Sequence, residues 1–184
     1  RLHALWGLGQ LKTRDRDLLK FICQDKDAEM RAQATRWAGD LGFDPDNLIP
    51  GLLQDSSPRV QLMAGIACGK LKSKGALDPL TKLIVEANNK ETVLRHAGIC
   101  GLAGTATPSE LKGLFRHSSE ALRIAAVVAL RRQKAFEELT AFLDDPSPQV
   151  MSDAVRAIYD EASPQTFTDH PDVLSALAKC LHPS

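Results

Sequence analysis

Aromatic side chains are scarce in this chain, 5% of 184 residues with one tyrosine and two tryptophans, and net charge is missing altogether: 23 Lys and Arg balance 23 Asp and Glu. Without a basic excess, the usual electrostatic footprint of a protein that neutralises nucleic-acid phosphates or an anionic membrane surface is missing. No run of about 18 apolar residues occurs, so no membrane-spanning helix is expected. The four cysteines, Cys23, Cys68, Cys100 and Cys180, stand far apart, which fits neither a paired-cysteine metal knuckle nor a disulfide framework. His3, His96, His117, His170 and His182 form no H-E-x-x-H and no cluster with cysteine at ligand spacing, so no metal and no cofactor is expected. C-x-x-C-H is absent, and with it haem attachment within these residues. Strand-like alternation with hairpin turn signals is also lacking.

What remains is ordinary globular usage, 43% hydrophobic and 25% charged, arranged as a repeat. Arg1, Arg31, Gln61, Arg95, Arg123 and Met151 serve as anchors, spaced 30, 30, 34, 28 and 28 residues apart. Three residues after each come Ala4, Ala34, Ala64, Gly98, Ala126 and Ala154, and seven after come Leu8, Ala38, Cys68, Leu102, Leu130 and Ile158. With apolar residues one before each later anchor, these offsets trace one stripe of an α-helix. Small residues along it let neighbouring helices approach closely, a role also expected of Gly7, Gly9, Gly98, Gly101 and Gly104. A second apolar pattern precedes each stripe, for example Leu19-Ile22-Cys23, Ile49-Leu52-Leu53, Leu111-Leu114-Phe115 and Leu139-Phe142-Leu143. It ends in turns rich in Asp, Ser and Pro, residues suited to opening the next helix.

The spacing therefore predicts helical hairpins of about 30 residues, each unable to cover its own apolar faces and obliged to lean on the next. The expected fold is all-α: an α-solenoid, or superhelix, of about six stacked hairpins and about twelve helices, continuous over 1–184 as a single domain. The third full unit carries four extra residues around Val85–Glu91, expected as a longer first helix or turn. Residues 162–171 read as the longest connector, a kink or a small lobe. Arg in place of Met at position 1, with helical pattern starting at once, reads as a piece of a larger protein with sticky ends around Leu5, Leu8 and Leu11.

These residues resemble the short bacterial HEAT-like repeats of the PBS-lyase type, with consensus near D-x-x-x-x-V-R-x-x-A-x-x-A-L-G. Asp25-Lys-Asp-Ala-Glu-Met30-Arg31-Ala-Gln-Ala34-Thr-Arg-Trp-Ala38-Gly39 fits it, as do Asp55–Gly69 and Asn89–Ala103. The resemblance implies a hydrogen-bonded structural ladder of loop acid and anchor Arg: Asp25 with Arg31, more loosely Asn89 with Arg95 and His117 with Arg123. It fails at Gln61 and Met151, so Asp55 and Asp145 need other partners. Arg1-Leu-His-Ala-Leu-Trp6-Gly-Leu-Gly9 and Leu94-Arg-His-Ala-Gly-Ile-Cys-Gly-Leu-Ala-Gly104 are further similar to the HEAT region of large membrane-bound dehydrogenases of planctomycete and verrucomicrobial bacteria that also carry a c-type haem segment. That resemblance implies an extracytoplasmic or periplasmic setting; without it the chain would be cytoplasmic.

In HEAT-like solenoids the second helices usually line the concave side, and there offsets +2, +5 and +9 place a candidate protein-binding surface with Arg36, Met63, Ile66, Lys70, Val128, Arg132 and Arg156. An apolar centre rimmed by mixed charge suits a protein segment better than a nucleic-acid backbone, although Met63, Ile66 and Val128 could equally be covered by the next repeat. Trp37 is expected in the core and Trp6 partly exposed. The cysteines read as small core hydrophobes, since a nucleophilic role needs an adjacent base that the sequence does not identify. The resulting expectation is a non-catalytic scaffold, binding another protein or neighbouring domains of its own chain, with no nucleic acid, no membrane contact by this segment, and self-association through its ends. The alternatives are a HEAT-like enzyme of the DNA glycosylase or bilin-lyase type, and a rigid spacer.

Overall fold

The computed structural model describes residues 1–181. Among these the chain is all-helical. Its α-helices are α1 (Leu2–Gln10), α2 (Arg16–Cys23), α3 (Ala28–Leu41), α4 (Pro58–Leu71), α5 (Leu77–Ala87), α6 (Thr92–Thr105), α7 (Pro108–Lys112), α8 (Glu120–Gln133), α9 (Phe136–Leu139), α10 (Pro148–Glu161), α11 (Pro164–Asp169) and α12 (Pro171–Leu181).

The helices that carry the repeat stripe, α3, α4, α6, α8 and α10, are each 14 residues long. Their starts follow from local chemistry. Asp27, Ser119 and Ser147 accept the first orphan amides of α3, α8 and α10, while Pro58 and Pro148 occupy the first turn, where no N–H is needed. Offsets +3, +6 and +7 are buried in all five: Ala34, Trp37 and Ala38 in α3; Ala64, Ala67 and Cys68 in α4; Gly98, Gly101 and Leu102 in α6; Ala126, Ala129 and Leu130 in α8; Ala154, Ala157 and Ile158 in α10.

The partner elements are more irregular than the apolar spacing predicts. Ile49–Gln54 is a 3-10 helix containing Pro50 and Gly51, and a prolyl ring and a flexible glycine both disfavour a regular α-helix. α7 likewise passes into a 3-10 segment at Gly113–Arg116, and α9 into one at Thr140–Phe142. The extra residues of the third unit lengthen α5 to 11 residues, which ends where Asn88 and Asn89 both take left-handed φ, 42° and 58°. The stretch 162–171, expected as a connector, instead folds α11: Ser163 and Thr166 form a reciprocal capping pair, and Pro164 sits in the first turn.

Packing falls into two compact units, Arg1–Thr105 and Ala106–Ser184. In the first, α1 and α2 rest on α3, α3 on α4, and α4 on α6, while Ile49–Gln54 packs on α4 and on α5, which in turn packs on α6. The repeat helices of this unit pack side by side, and the closest seam is α4 against α6. A Cβ on Gly65 would lie 2.9 Å from Ala97, and methyls at Gly69 and Gly104 would strike the backbone carbonyls of Cys100 and Gly69 respectively. Gly98 and Gly101 are likewise contact points, against Ile84 and Leu80, but nothing lies within 4 Å of a Cβ at Gly7, which is not one. In the second unit α8 is the hub, touching α7, α9, α10 and Gly113–Arg116, and α12 packs on α9 and Thr140–Phe142. Leu5 is buried in the first unit, correcting its expected place on a sticky end, whereas Leu11 is 78% exposed.

Candidate functional site

The turns that precede α3, α4, α8 and α10 share one construction. Asp25, Asp55 and Asp145 each turn a carboxylate oxygen onto the amide two residues later, at 2.9, 2.8 and 2.8 Å, and His117 Nδ1 accepts from Ser119 N–H at 3.0 Å. These are Asx-type turns in which a short side chain stands in for backbone. The anchor arginine then joins two of them. Arg31 donates from Nη1 to the Asp25 carbonyl at 2.8 Å and forks onto the Asp55 carboxylate at 2.8 Å on each arm. Arg123 repeats the arrangement, with Nη1 2.8 Å from the His117 carbonyl and the fork on Asp145 at 2.7 and 3.1 Å. Arg1 pairs with Asp25.

The ladder therefore steps forward. The carboxylate that Arg31 grips is Asp55, not Asp25 as the resemblance implies, and His117 meets Arg123 through its backbone carbonyl, not its ring. A planar guanidinium long enough to leave its own helix reaches the next turn bidentately while its remaining edge stays on the turn behind it. Asp55 is accordingly held below the usual carboxylate range by the Arg31 hydrogen bonds, and the Arg31 guanidinium is pushed up by the same contact. Asp25 is lowered chiefly by the Asp27 amide and then by Arg1. The rung is missing where Gln61 replaces the arginine; Asn89, standing at the following turn, has a buried carbonyl oxygen that finds no donor among the described residues. Arg95 is half-buried on α6.

The seven surface candidates divide between the units. In the first, Arg36 and Lys70 are exposed and are tied to one carboxylate, Asp40, at 3.4 and 2.6 Å. Arg59 and Glu29 form a second bridge from α4 to α3 at 3.3 Å. Met63 and Ile66 are half-buried between these charges on α4. Gln33 and Ala97, at offset +2, are buried and do not belong to an open surface. In the second unit Val128 is half-buried on α8, Arg132 is exposed, and Arg156 is exposed on α10. Arg131, which the sequence reading passed over, links α8 to Asp160 and Glu161 of α10 at 3.4 and 3.1 Å.

Trp37 is 6% exposed and Trp6 50%; the Trp6 indole N–H donates to Gln33 Oε1 at 3.2 Å. Both tryptophans, with Gln33, Arg36 and Asp40, border a cleft of about 480 Å³ between α1 and α3. In the second unit a cleft of about 620 Å³ is bordered by Phe115, Arg116, His117, Thr140 and Asp144. No group of three or more His, Cys, Asp or Glu placed to hold a metal occurs among the described residues, and His182 lies outside them. No helix among them is long and apolar enough to cross a membrane. Cys23 and Cys68 are buried, and burial pushes both thiols up to about 12, as core positions require. Cys100 differs: its Sγ lies 3.5 Å from His96 Nε2, a pairing that the i, i+4 spacing permits and the sequence reading overlooked. No family model matches this chain, and no curated protein matches it significantly.

Proposed function

We propose that the chain is a solenoid of about six HEAT-like hairpins acting as a non-catalytic scaffold, which offers its repeat helices to another protein or to neighbouring domains of a longer polypeptide. One observation carries the reading: the Arg31–Asp55 and Arg123–Asp145 forks recur with the same backbone anchor in both compact units. A bond that joins one turn to the following one serves stacking, and stacking yields an extended surface. The half-buried apolar side chains Met63 and Ile66, flanked by the Asp40–Lys70 and Glu29–Arg59 bridges, have the apolar-centre, charged-rim character of a protein-binding patch. By its resemblance to the HEAT region of the haem-bearing dehydrogenases, the scaffold belongs to an exported redox protein.

The test is affinity purification of the parent protein with Arg36, Lys70 and Arg156 replaced by alanine, read by quantitative mass spectrometry against the unsubstituted protein. Loss of a reproducible partner with an unchanged helical spectrum is the expected result. An unaltered partner set would sink the surface assignment. Retention of every parental activity after exchange for an unrelated solenoid would favour a spacer instead.

A further inference from the structure

The cysteines occupy three different chemical settings. Cys23 and Cys68 are sealed in the core. Cys180 on α12 is half-buried and donates its S–H to carbonyl oxygens, Ala176 at 3.5 Å and Leu143 at 3.9 Å. Cys100 on α6 is also half-buried, and its sulfur meets an imidazole: His96 Nε2, at 3.5 Å, on an exposed side chain one turn earlier. Helical spacing of four residues keeps the two side chains on one face. A carbonyl oxygen can only accept a thiol hydrogen bond. An imidazole nitrogen, in the tautomer with hydrogen on Nδ1, can take the proton away and leave the nucleophilic thiolate.

We propose that His96 and Cys100 form a thiol–imidazole dyad that makes Cys100 the site of covalent modification in this chain, by soft carbon electrophiles and by hydroperoxides. In the first reaction Nε2 accepts the Sγ proton and the thiolate attacks carbon; the C–S bond forms as the bond to the leaving halide breaks. In the second the thiolate attacks the terminal peroxide oxygen, the S–O bond forms and the O–O bond breaks, and the departing alkoxide, or hydroxide where the oxidant is hydrogen peroxide, takes the proton back from imidazolium as alcohol or water. Sulfur is oxidised to the sulfenic acid and the peroxide is reduced. The inference stands on this pair alone and is independent of the scaffold assignment.

The experiment is timed labelling of the native 184-residue chain with iodoacetamide, and separately with hydrogen peroxide followed by dimedone, each read peptide by peptide in a mass spectrometer. Cys100 is expected to label about tenfold faster than Cys180, the gain a neighbouring base gives a thiol of similar exposure, while Cys23 and Cys68 label only in denaturant. His96→Gln is expected to bring Cys100 down to the Cys180 rate and leave Cys180 unchanged. Equal rates for Cys100 and Cys180 in the native chain overturn the proposal, as does an unaltered Cys100 rate in a folded His96→Gln protein. Should Cys23 and Cys68 become labelled in that variant, showing that it has opened, the native-chain ratio decides, with His96→Asn as the second substitution.

Discussion

Arg123 and Arg16 both make forked contacts with aspartate, yet their surroundings give them different weight. Arg123 is 8% exposed, and the Asp145 side chain beneath it 1%. Arg16 holds Asp46 through Nε at 3.1 Å, but its side chain is 64% exposed. Water screens the second pair fully and the first only at its edge, so Arg123→Ala leaves a buried carboxylate with the Ser147 amide but without its counter-charge, at a loss of about 3–5 kcal/mol. Arg16→Ala should lose less than about 1 kcal/mol; urea unfolding of the two variants checks the contrast, and equal midpoints would contradict it. Acid provides a second test at the same scale. Because Arg31 lowers Asp55 below its ordinary value of 3.8 in the folded chain, the unfolded chain binds that proton more readily. Stability from this pair is present above the ordinary value and lost as pH falls through the lowered one. Arg31→Ala should therefore shrink the fall in melting temperature between about pH 5 and pH 2 relative to the parent chain.

Among the elements, the helix ends show how far the residues could be read. Eleven positions after an anchor, the chain turns left-handed at Lys12, Gly42, Lys72 and Lys134, with φ of 52°, 60°, 51° and 57°. Gly42 announces such a stop in the sequence; three lysines do not, because the side chain disfavours that conformation and only the closing hydrogen bonds of the helix end impose it. Lys72→Gly and Lys134→Gly should each raise stability by about 0.5–1 kcal/mol. The repeat stripe was legible because burial at +3, +6 and +7 leaves a periodic apolar signal, and Leu102 and Leu130 on it are fully buried; Leu130→Ala should lose about 2–5 kcal/mol. Between the repeat helices α2 was legible from Leu19, Ile22 and Cys23, but the 3-10 segments were not, since a 3-10 turn such as Ile49–Gln54 shows the same few apolar residues as one helical turn. The dyad was hidden for a related reason: spacing shows that His96 and Cys100 share a face, but not that Nε2 meets sulfur. Glycines on α4 and α6 carry the sharpest element-scale test. Gly104→Ala drives a methyl into the Gly69 carbonyl, and overpacking of roughly 1–3 kcal/mol outweighs the gain in helix propensity of about 1 kcal/mol. Gly7→Ala, where no atom stands in the way, should gain that propensity term, so the two substitutions move the melting temperature in opposite directions.

At the scale of the molecule, elements that lean chiefly on their sequence neighbours should not open all at once. Stability in such an array is a sum of local terms and neighbour interfaces, so an element touched on several sides opens last. Within the first unit α4 is covered by α3, α6 and Ile49–Gln54, whereas α1 rests on α3 and buries Leu5. Within the second, α8 contributes a run of buried side chains from Ala121 to Val127 and is touched by α7, α9 and α10, whereas α11 buries none of its residues. Hydrogen exchange of the native chain, followed by mass spectrometry, should therefore run from slow at α4 to fast at α1, and from slow at α8 to fast at α11, with α3 intermediate in the first unit. Arg31→Ala unfastens the turn before α4 from the turn before α3, so it should speed exchange in α3 and α4 and leave α8 and α10 at the parent rates. A single common rate across α1, α3 and α4, or acceleration of α8 by that substitution, would mean that the chain opens as one cooperative body and that the arginine forks do not set its stability locally.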